Sequence, residues 1–329
     1  MSLLRHTIHS SIDPSSSLNN LIKLLANRVY SGNIEHAKQE IRWLKEYIND
    51  INKIIVDNNK VDGTIATLND DSIDNDRILS NLLRERIFKN KPLQYIIGDQ
   101  PFGDLLIKVK QPILIPRWET EEWSIELANM IDEQLSKSKN DDFTILEIGS
   151  GSGCIPLMLS SKIKTKVDIY SIDKNEKATL LSQENQTFNE KQLNHKVHFK
   201  LVDLFNDYQI KKLLSSIPPV NMIVSNPPYI PPDEYELLDL SVKQWEDSGA
   251  LKTKDSHGLE YYHRIYEVYK KRIRNDEKES KIKNGLPKFV FEYGTKEQGL
   301  KLKQYFDHRG FHSVLKKDMG DKYRVIYVY

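Results

Sequence analysis

Apolar positions change their spacing twice along this chain. From residue 18 to 90 they recur at helical intervals: Leu18, Ile22, Leu25, Ala26 and Val29, then Ile41, Leu44 and Ile48, then Ile78, Leu82, Leu83, Ile87 and Phe88. Spacings of three and four residues put such positions on one face of a helix, so the segment predicts a small helical bundle. A polar stretch around residues 49–76 gives it a loose middle. Between 91 and 117, Pro92, Gly98, Pro101, Gly103, Pro112 and Pro116 punctuate two short β-like runs, 105–109 and 113–115. This predicts a connector that contains a hairpin.

Beyond residue 120 the pattern alternates. A helix is expected around 121–134, and strands at 143–148, 167–172, 197–202, 222–225, 289–292, 312–315 and 324–329. Helical segments fill most of the gaps, which predicts an α/β fold: a mainly parallel sheet with helices on both faces. Only residues 316–322 separate the last two strands. That is too short for a crossover helix, so this pair is expected to be antiparallel. The charged run 275–287 reads as a solvated insertion. The expected organisation is a leading segment 1–17, a helical domain 18–90, a connector 91–119 and an α/β domain 120–329.

Composition narrows the class. Lys and Arg number 48 and Asp and Glu 47, a formal net charge of +1. This balance argues against a protein that grips long nucleic acid through its phosphates. The single cysteine, Cys154, excludes an intramolecular disulfide and a cysteine-rich zinc site. It points to a reducing compartment and reads as a small buried apolar residue. No metal is expected. No uninterrupted apolar run reaches the ~18 residues of a membrane-spanning helix. Residues 1–17 carry Arg5, His6, His9 and several serines, with no acid before Asp13. That is compatible with a mitochondrial presequence or with a ragged start.

Four elements carry candidate chemistry. The first is Glu147-Ile148-Gly149-Ser150-Gly151-Ser152-Gly153, which follows an apolar strand and opens a helix. In a doubly wound sheet that turn lies at the carboxyl ends of the strands, where ligands bind, and glycines let the backbone approach a ligand closely. The dinucleotide pattern would place a third glycine where Cys154 stands. The G-x-G-x-G spacing suits S-adenosylmethionine better than a pyrophosphate. Asp173 ends the next strand, where a carboxylate can accept hydrogen bonds from both hydroxyls of a ribose; a plain helix cap is the other reading. Asp203-Leu204-Phe205 end the third strand and should flank an adenine.

The most informative element is Asn226-Pro227-Pro228-Tyr229, after strand 222–225. The Asn226 side-chain oxygen and the Pro227 carbonyl can each accept one N–H of a substrate NH2 group. Prolines stiffen the loop by fixing φ, and Tyr229 offers a ring against which a planar group can stack. A carboxylate would set oxygen against oxygen, a mismatch costing about 1–3 kcal/mol. Catalytic roles are therefore expected for Asn226 and Pro227, and substrate contacts for Asn226, Pro227, Pro228 and Tyr229. Cofactor contacts are expected from Glu147, Gly149, Ser150, Gly151, Ser152, Gly153, Asp173, Asp203, Leu204 and Asn226.

At this point the chain resembles the PrmC/HemK-type protein-glutamine N5-methyltransferases, which modify the GGQ glutamine of peptide chain release factors. The matching stretches are Pro92-Leu93-Gln94-Tyr95-Ile96-Ile97-Gly98, Phe102-Gly103, and Leu114-Ile115-Pro116-Arg117-Trp118-Glu119-Thr120-Glu121. The glycine turn, Asp173, residues 203–205, residues 223–231, Glu292-Tyr293-Gly294, Gln298-Gly299 and Arg309-Gly310-Phe311 also fit. The likeness is close over residues 91–329 and loose over 18–90. It implies a seven-stranded class I S-adenosylmethionine-dependent methyltransferase fold, with S-adenosylhomocysteine as the product. It also implies a helical domain that helps bind the release factor, and cofactor and substrate contacts at the residues already named. Two positions depart from the pattern. Trp118 stands where the family usually has Pro, and residues 252–258 replace a glycine-rich stretch. The helical domain points to the bacterial or organellar type. With the leading segment it favours mitochondria, the matrix in particular, over the cytoplasm.

Neither a membrane nor a nucleic-acid substrate is expected, and a monomer is the simplest expectation for the oligomeric state. The competing reading within this fold is a nucleic-acid amino-group methyltransferase of the adenine N6 type, since the same pocket would accept a flipped adenine. A third reading is a non-catalytic assembly factor that kept the fold.

Overall fold

The computed structural model describes residues 18–61, 74–137, 142–273 and 285–329. The leading segment 1–17, residues 62–73 of the polar middle and most of the charged insertion lie outside them. The chain divides into two compact units, residues 1–97 and 98–329.

The first unit is helical: α1 (Leu18–Val29), α2 (Ile34–Val61), α3 (Asn75–Phe88) and the short α4 (Leu93–Ile97). Its core is built from the periodic apolar positions, Leu21, Leu25, Ile41, Leu44, Ile48, Leu79, Leu83 and Ile87 among them, joined by Leu93 and Ile96. Asp74 caps α3 by accepting from the Arg77 N–H, which satisfies one of the orphan donors of a helix start. The buried Glu40 carboxylate takes hydrogen bonds from the Arg86 Nε and the Tyr30 hydroxyl, so the charge inside this core is paired.

The second unit opens with a hairpin, β1 (Asp99–Phe102) and β2 (Leu105–Lys108), turning at Gly103. The run 113–115 forms no strand; 105–108 pairs backwards with 99–102 instead. After α5 (Trp118–Ser136) come β3 (Thr144–Ile148), α6 (Cys154–Lys162), β4 (Asp168–Asp173), α7 (Glu176–Phe188), β5 (Val197–Leu201), α8 (Asp207–Ser216) and β6 (Met222–Ser225). Two short helices, α9 (Pro232–Tyr235) and α10 (Leu240–Trp245), lead into α11 (Glu260–Ile273), β7 (Phe289–Glu292), α12 (Lys296–Asp307), β8 (Ser313–Lys317) and β9 (Tyr323–Val328).

Seven strands form one sheet in the order β5-β4-β3-β6-β7-β9-β8. The first five of these are parallel; β9 runs antiparallel to both β7 and β8, as the short 316–322 gap requires. β3, β6 and β7 are buried at every position, the signature of parallel strands covered on both faces. One face packs against Leu127, Ile131, Leu157 and Leu159, the other against Tyr262, Ile265, Leu302 and Phe306. Strand order reverses between β3 and β6, so their carboxyl ends diverge and leave a crevice there.

The hairpin is held to α7 by side chains rather than by a further strand. Asn185 accepts from the Lys108 N–H (2.6 Å) and donates to the Lys108 carbonyl (2.9 Å) and the Ser152 carbonyl (2.9 Å). One helical turn on, Asn189 does the same for both backbone groups of Leu106 at 3.1 Å. Two asparagines at i and i+4 thus satisfy the free edge of β2 and tie it to the glycine turn. Asn185→Leu would leave three backbone groups short of a partner. At about 1–3 kcal/mol for each buried group left unsatisfied, partly offset by relaxation, urea unfolding should read a loss of roughly 2–4 kcal/mol. A loss under 0.5 kcal/mol would show that water replaces these bonds freely.

Candidate active site

The crevice at the reversal point is a cleft of about 790 Å³, part of it open to solvent, whose walls include Gly149, Gly151, Asp173, Asp203, Leu204 and Asn226. Pro227, Pro228 and Phe205 also line it, as do residues that sequence reasoning did not single out: Lys174, Asn175, Asp247 and Tyr261. Glu147, Ser150, Ser152, Gly153 and Tyr229 are not on its wall, and each has a visible structural reason.

The turn after β3 is shaped by positive φ at Gly149 (87°), Gly151 (52°) and Gly153 (84°), a region L residues avoid. The Gly149 and Ser150 N–H groups both donate to the Ile172 carbonyl, at 2.8 and 3.0 Å. Gly153 faces inward as the N-cap of α6, and a Cβ there would meet Ser182 and Phe199 at 3.1–3.2 Å. Its glycine serves packing. The Ser150 and Ser152 hydroxyls are buried, with no partner for either oxygen among the described residues. A Cβ on Gly149 would instead point across the crevice, with only the Asn226 carbonyl in range at 4.0 Å. Here the turn and the N-P-P-Y loop face each other.

Asp173 closes β4 and is locked by two backbone donors, Gly151 N–H at 2.9 Å and Asn175 N–H at 2.8 Å, one to each carboxylate oxygen. Each oxygen keeps a second lone pair, facing a cleft where a ribose diol could use both. Burial raises the carboxyl above its ordinary range, against the pull of those two N–H groups and of Lys174. Asp203 accepts from the Phe205 N–H (2.9 Å), and Arg264 donates to the Leu204 carbonyl (2.9 Å) while its guanidinium lies 5.9 Å from the Phe205 ring centroid. The stretch 203–205 is therefore a braced loop, not the end of a strand, since β5 stops at Leu201.

The N-P-P-Y loop is anchored at both of its ends. Ser225 donates to the Ile148 carbonyl at 2.6 Å, joining the end of β6 to the glycine turn. The Asn226 Nδ2 donates to Thr120 Oγ1 at 3.3 Å. Thr120 Oγ1 in turn donates to Glu292 Oε2 at 2.7 Å, which also accepts Trp123 Nε1 at 2.8 Å. The Tyr229 hydroxyl reaches Glu292 Oε1 at 3.4 Å, and Gln298 Nε2 donates to the Tyr229 carbonyl at 2.7 Å. Tyr229 is thereby turned toward Glu292, its ring against Gly294, where a Cβ would lie 3.0 Å away. Glu292 itself is fully buried. Burial raises its carboxyl, while Thr120, Trp123 and Arg324 oppose the rise. Glu292 and Gln298 were legible only as matches to a family pattern, because nothing in their spacing placed them under a loop more than 60 residues earlier.

Groups of His, Cys, Asp and Glu arranged to hold a metal ion are absent among the described residues. None of the described helices is long and apolar enough to cross a membrane. Cys154 packs against the core, and burial pushes its thiol up to about 12.

The strand order and this cleft together define a class: a Rossmann-like, S-adenosylmethionine-dependent methyltransferase. Comparison with known proteins narrows it. Residues 127–279 match the family model described as the methyltransferase small domain. The chain is 30% identical over 246 residues to the probable MRF1 mitochondrial N(5)-glutamine methyltransferase mtq1 of Schizosaccharomyces pombe, covering 73% of this chain and 75% of that one. It is 36% identical over 193 residues to a release factor glutamine methyltransferase of Thermodesulfovibrio yellowstonii, covering 59% of this chain and 63% of that one. The human MTRF1L release factor glutamine methyltransferase is 32% identical over 174 residues, 51% of this chain and 49% of its own. The chain belongs to the release factor glutamine methyltransferase family.

Glu147 yields a pH prediction. It is fully buried in β3 opposite Ser171, whose hydroxyl donates to its Oε2, while Oε1 has no hydrogen-bond partner among the described residues. Burial, reinforced by the nearby Asp173, raises this carboxyl well above its ordinary range despite Ser171. A carboxyl raised on folding holds its proton more tightly in the native state. Its stabilising contribution is full below the unfolded value and is lost as pH climbs through the folded one. Glu147→Gln has no proton to lose, so the melting temperature of the variant minus that of the wild type should increase from pH 5 to pH 8. A difference that stays flat across that range would reject a raised Glu147. About 1 kcal/mol corresponds to roughly 2–4 °C for a unit of this size.

Proposed function

We propose that this chain transfers a methyl group from S-adenosylmethionine to the N5 amide nitrogen of the glutamine in the GGQ motif of a peptide chain release factor. The observation that carries the reading is the pair of oxygens on the N-P-P-Y loop. Asn226 and Pro227 both line the cleft, and neither the Asn226 Oδ1 nor the Pro227 carbonyl accepts a hydrogen bond from another described residue. Two acceptors held by a stiff loop suit an NH2 group. Across the cleft, the open face of Gly149 and the doubly anchored Asp173 suit an adenosyl group.

The cofactor, when bound, supplies an electrophilic methyl on a positively charged sulfur. In this reading Gly149, Gly151 and Asp173 hold it, with Asp203 and Leu204 flanking its base, while Glu147, Ser150, Ser152 and Gly153 support the turn from behind. Asn226 Oδ1 and the Pro227 carbonyl grip the two N–H groups of the substrate amide and aim its nitrogen at the methyl. An amide nitrogen is a poor nucleophile, so alignment supplies most of the acceleration. As the new N–C bond forms, positive charge grows on nitrogen, and the same two oxygens stabilise it. In the same step the sulfur–methyl bond would break to leave neutral S-adenosylhomocysteine, and the amide proton, acidic only then, would pass to water, so no strong general base is required. Pro228 shapes the wall beside the amide, and Tyr229 braces the loop from behind through Glu292 and Gln298.

The fission yeast relative carries the word mitochondrial in its name, and residues 1–17 suit a presequence. The matrix is therefore the proposed location. The helical unit is proposed to help hold the release factor, and the protein is proposed to act as a monomer, with neither a membrane nor a nucleic acid as partner.

Mass spectrometry of a GGQ-containing release-factor domain, after incubation with the protein and S-adenosylmethionine, should find one methyl group on the glutamine side chain. Label appearing only in duplex DNA offered in parallel would overturn the reading. Asp173→Ala should weaken cofactor binding by about 1–3 kcal/mol, the scale of hydrogen bonds to a charged group, read by calorimetry. Asn226→Ala should lower kcat by roughly 10²–10³, the cost of removing one transition-state contact, with cofactor affinity little changed. Lost binding with normal turnover would reverse these roles.

A further inference from the structure

We propose that Thr120, held by a Glu292 that Trp123 fixes in turn, is the positioning residue that fixes which way the Asn226 side-chain amide faces, and so makes the site select glutamine over glutamate. The inference rests on the reaction proposed above and concerns how its specificity is set.

An asparagine amide has two nearly isosteric ends, an oxygen that accepts and an NH2 that donates. Turned by 180°, Asn226 would present donors to the cleft and welcome a carboxylate. Something must hold it in one orientation, and the surrounding bonds supply a one-directional chain. The Trp123 indole nitrogen can only donate, and it points at Glu292 Oε2 from 2.8 Å. That oxygen is therefore an acceptor even when Glu292 carries a proton, which would then sit on Oε1. The Thr120 hydroxyl lies 2.7 Å from the same oxygen and must spend its one proton there. With its proton committed, Thr120 Oγ1 can only accept from Asn226, 3.3 Å away. The NH2 end of Asn226 therefore faces Thr120 and the oxygen end faces away from it.

The clamp is also built to last. Thr120 is 2% exposed in the first turn of α5, Glu292 is 2% exposed at the end of β7, and Trp123 is 3% exposed. Water cannot easily substitute for any of them. Glu292 is fixed further by the Arg324 charge beside it. The Tyr262 hydroxyl donates to its backbone carbonyl at 2.7 Å. The polarity of the amide is thus decided three side chains away from the substrate.

Thr120→Val keeps the shape of the side chain and removes only the hydroxyl. It should lower kcat on a GGQ peptide roughly 10- to 100-fold, the scale of a small misplacement of a reacting group, while the cofactor Kd stays within about twofold. Thr120→Ser should restore most of the turnover, because it returns the acceptor. A merely structural role would not move the next readout. The corresponding GGE peptide should be a poor competitor of the wild-type protein but should inhibit Thr120→Val several-fold better, as the released amide turns its NH2 toward the carboxylate. Thr120→Ala serves if the Val variant does not fold. Independently of substrate, the side-chain NH2 signal of Asn226 in [15N]asparagine-labelled protein should shift, and exchange faster with solvent, in the Val or Ala variant. Unchanged amide signals, or unchanged discrimination between the two peptides, would overturn the inference. A wild-type protein that shows the amide clamp but does not methylate glutamine would overturn only the reaction proposed.

Discussion

The arrangement of this molecule's site depends on one buried carboxylate. Glu292, at the end of β7, collects the α5 hydroxyl and indole of Thr120 and Trp123, stands opposite the Tyr229 phenol and lies beside Arg324 of β9. It therefore joins the helix that precedes the sheet, the loop that follows β6, and the antiparallel strand that closes the chain. An isolated carboxylate in such a place would cost several kcal/mol. It is tolerated because Thr120 and Trp123 donate to it and Arg324 lies beside it, against the opposing charge of Glu119. The arrangement is stiff for the same reason, since losing one partner leaves the others facing an unsatisfied charge.

Stiffness here has a chemical use. Without a strong base, a site for amide methylation must rely on holding a weak nucleophile in line. The loop that does the holding is tied down from below by Ser225 on the Ile148 carbonyl, from the side by Gln298 on the Tyr229 carbonyl, and at its end by the pairing of Ile230 with Leu251 and Thr253. The glycine turn opposite is fixed by Asp173 and, through the Ser152 carbonyl, by Asn185. Apart from Asp173, which faces the cleft, the side chains that brace its two walls do not themselves line it.

Much of this was legible from the sequence, and the reason is periodicity. All seven sheet strands fall within two residues of their expected limits, most clearly β3, β6 and β7, because a parallel strand covered on both faces must be a short apolar run and little else in the chain resembles one. The glycine turn, Asp173 and the N-P-P-Y loop were legible because each sits at a strand's carboxyl end. The hairpin was expected in the connector, but only one of its two strands was read. Ile113 and Ile115 are apolar because they are buried, and the partner of β2 is instead 99–102, whose Pro101 and exposed turn hide the strand pattern. The clamp under Asn226 was illegible for a different reason. Thr120, Trp123 and Glu292 are brought together by tertiary packing across some 170 residues, and no local spacing encodes such a meeting.

The two departures from the family pattern turn out to be cheap in physical terms. Trp118 occupies the first position of α5, where Pro is favoured because its missing N–H would be unpaired anyway. Replacing it forfeits some preorganisation but breaks no bond, and the indole is half exposed beside Gly320. In the 252–258 stretch the lost glycines are replaced by a different device. The Asp255 carboxylate accepts from the backbone N–H groups of His257, Leu259 and Glu260, and these outweigh its burial to hold its pKa below the ordinary range. The one glycine retained, Gly258, is the one geometry demands. Its φ is 67°, and a Cβ there would lie 2.1 Å from the Tyr229 carbonyl. A polar loop with one carboxylate and one glycine thus supports the N-P-P-Y loop from beneath. The constraint resides in the close approach at Gly258, not in the glycine content of the stretch before it.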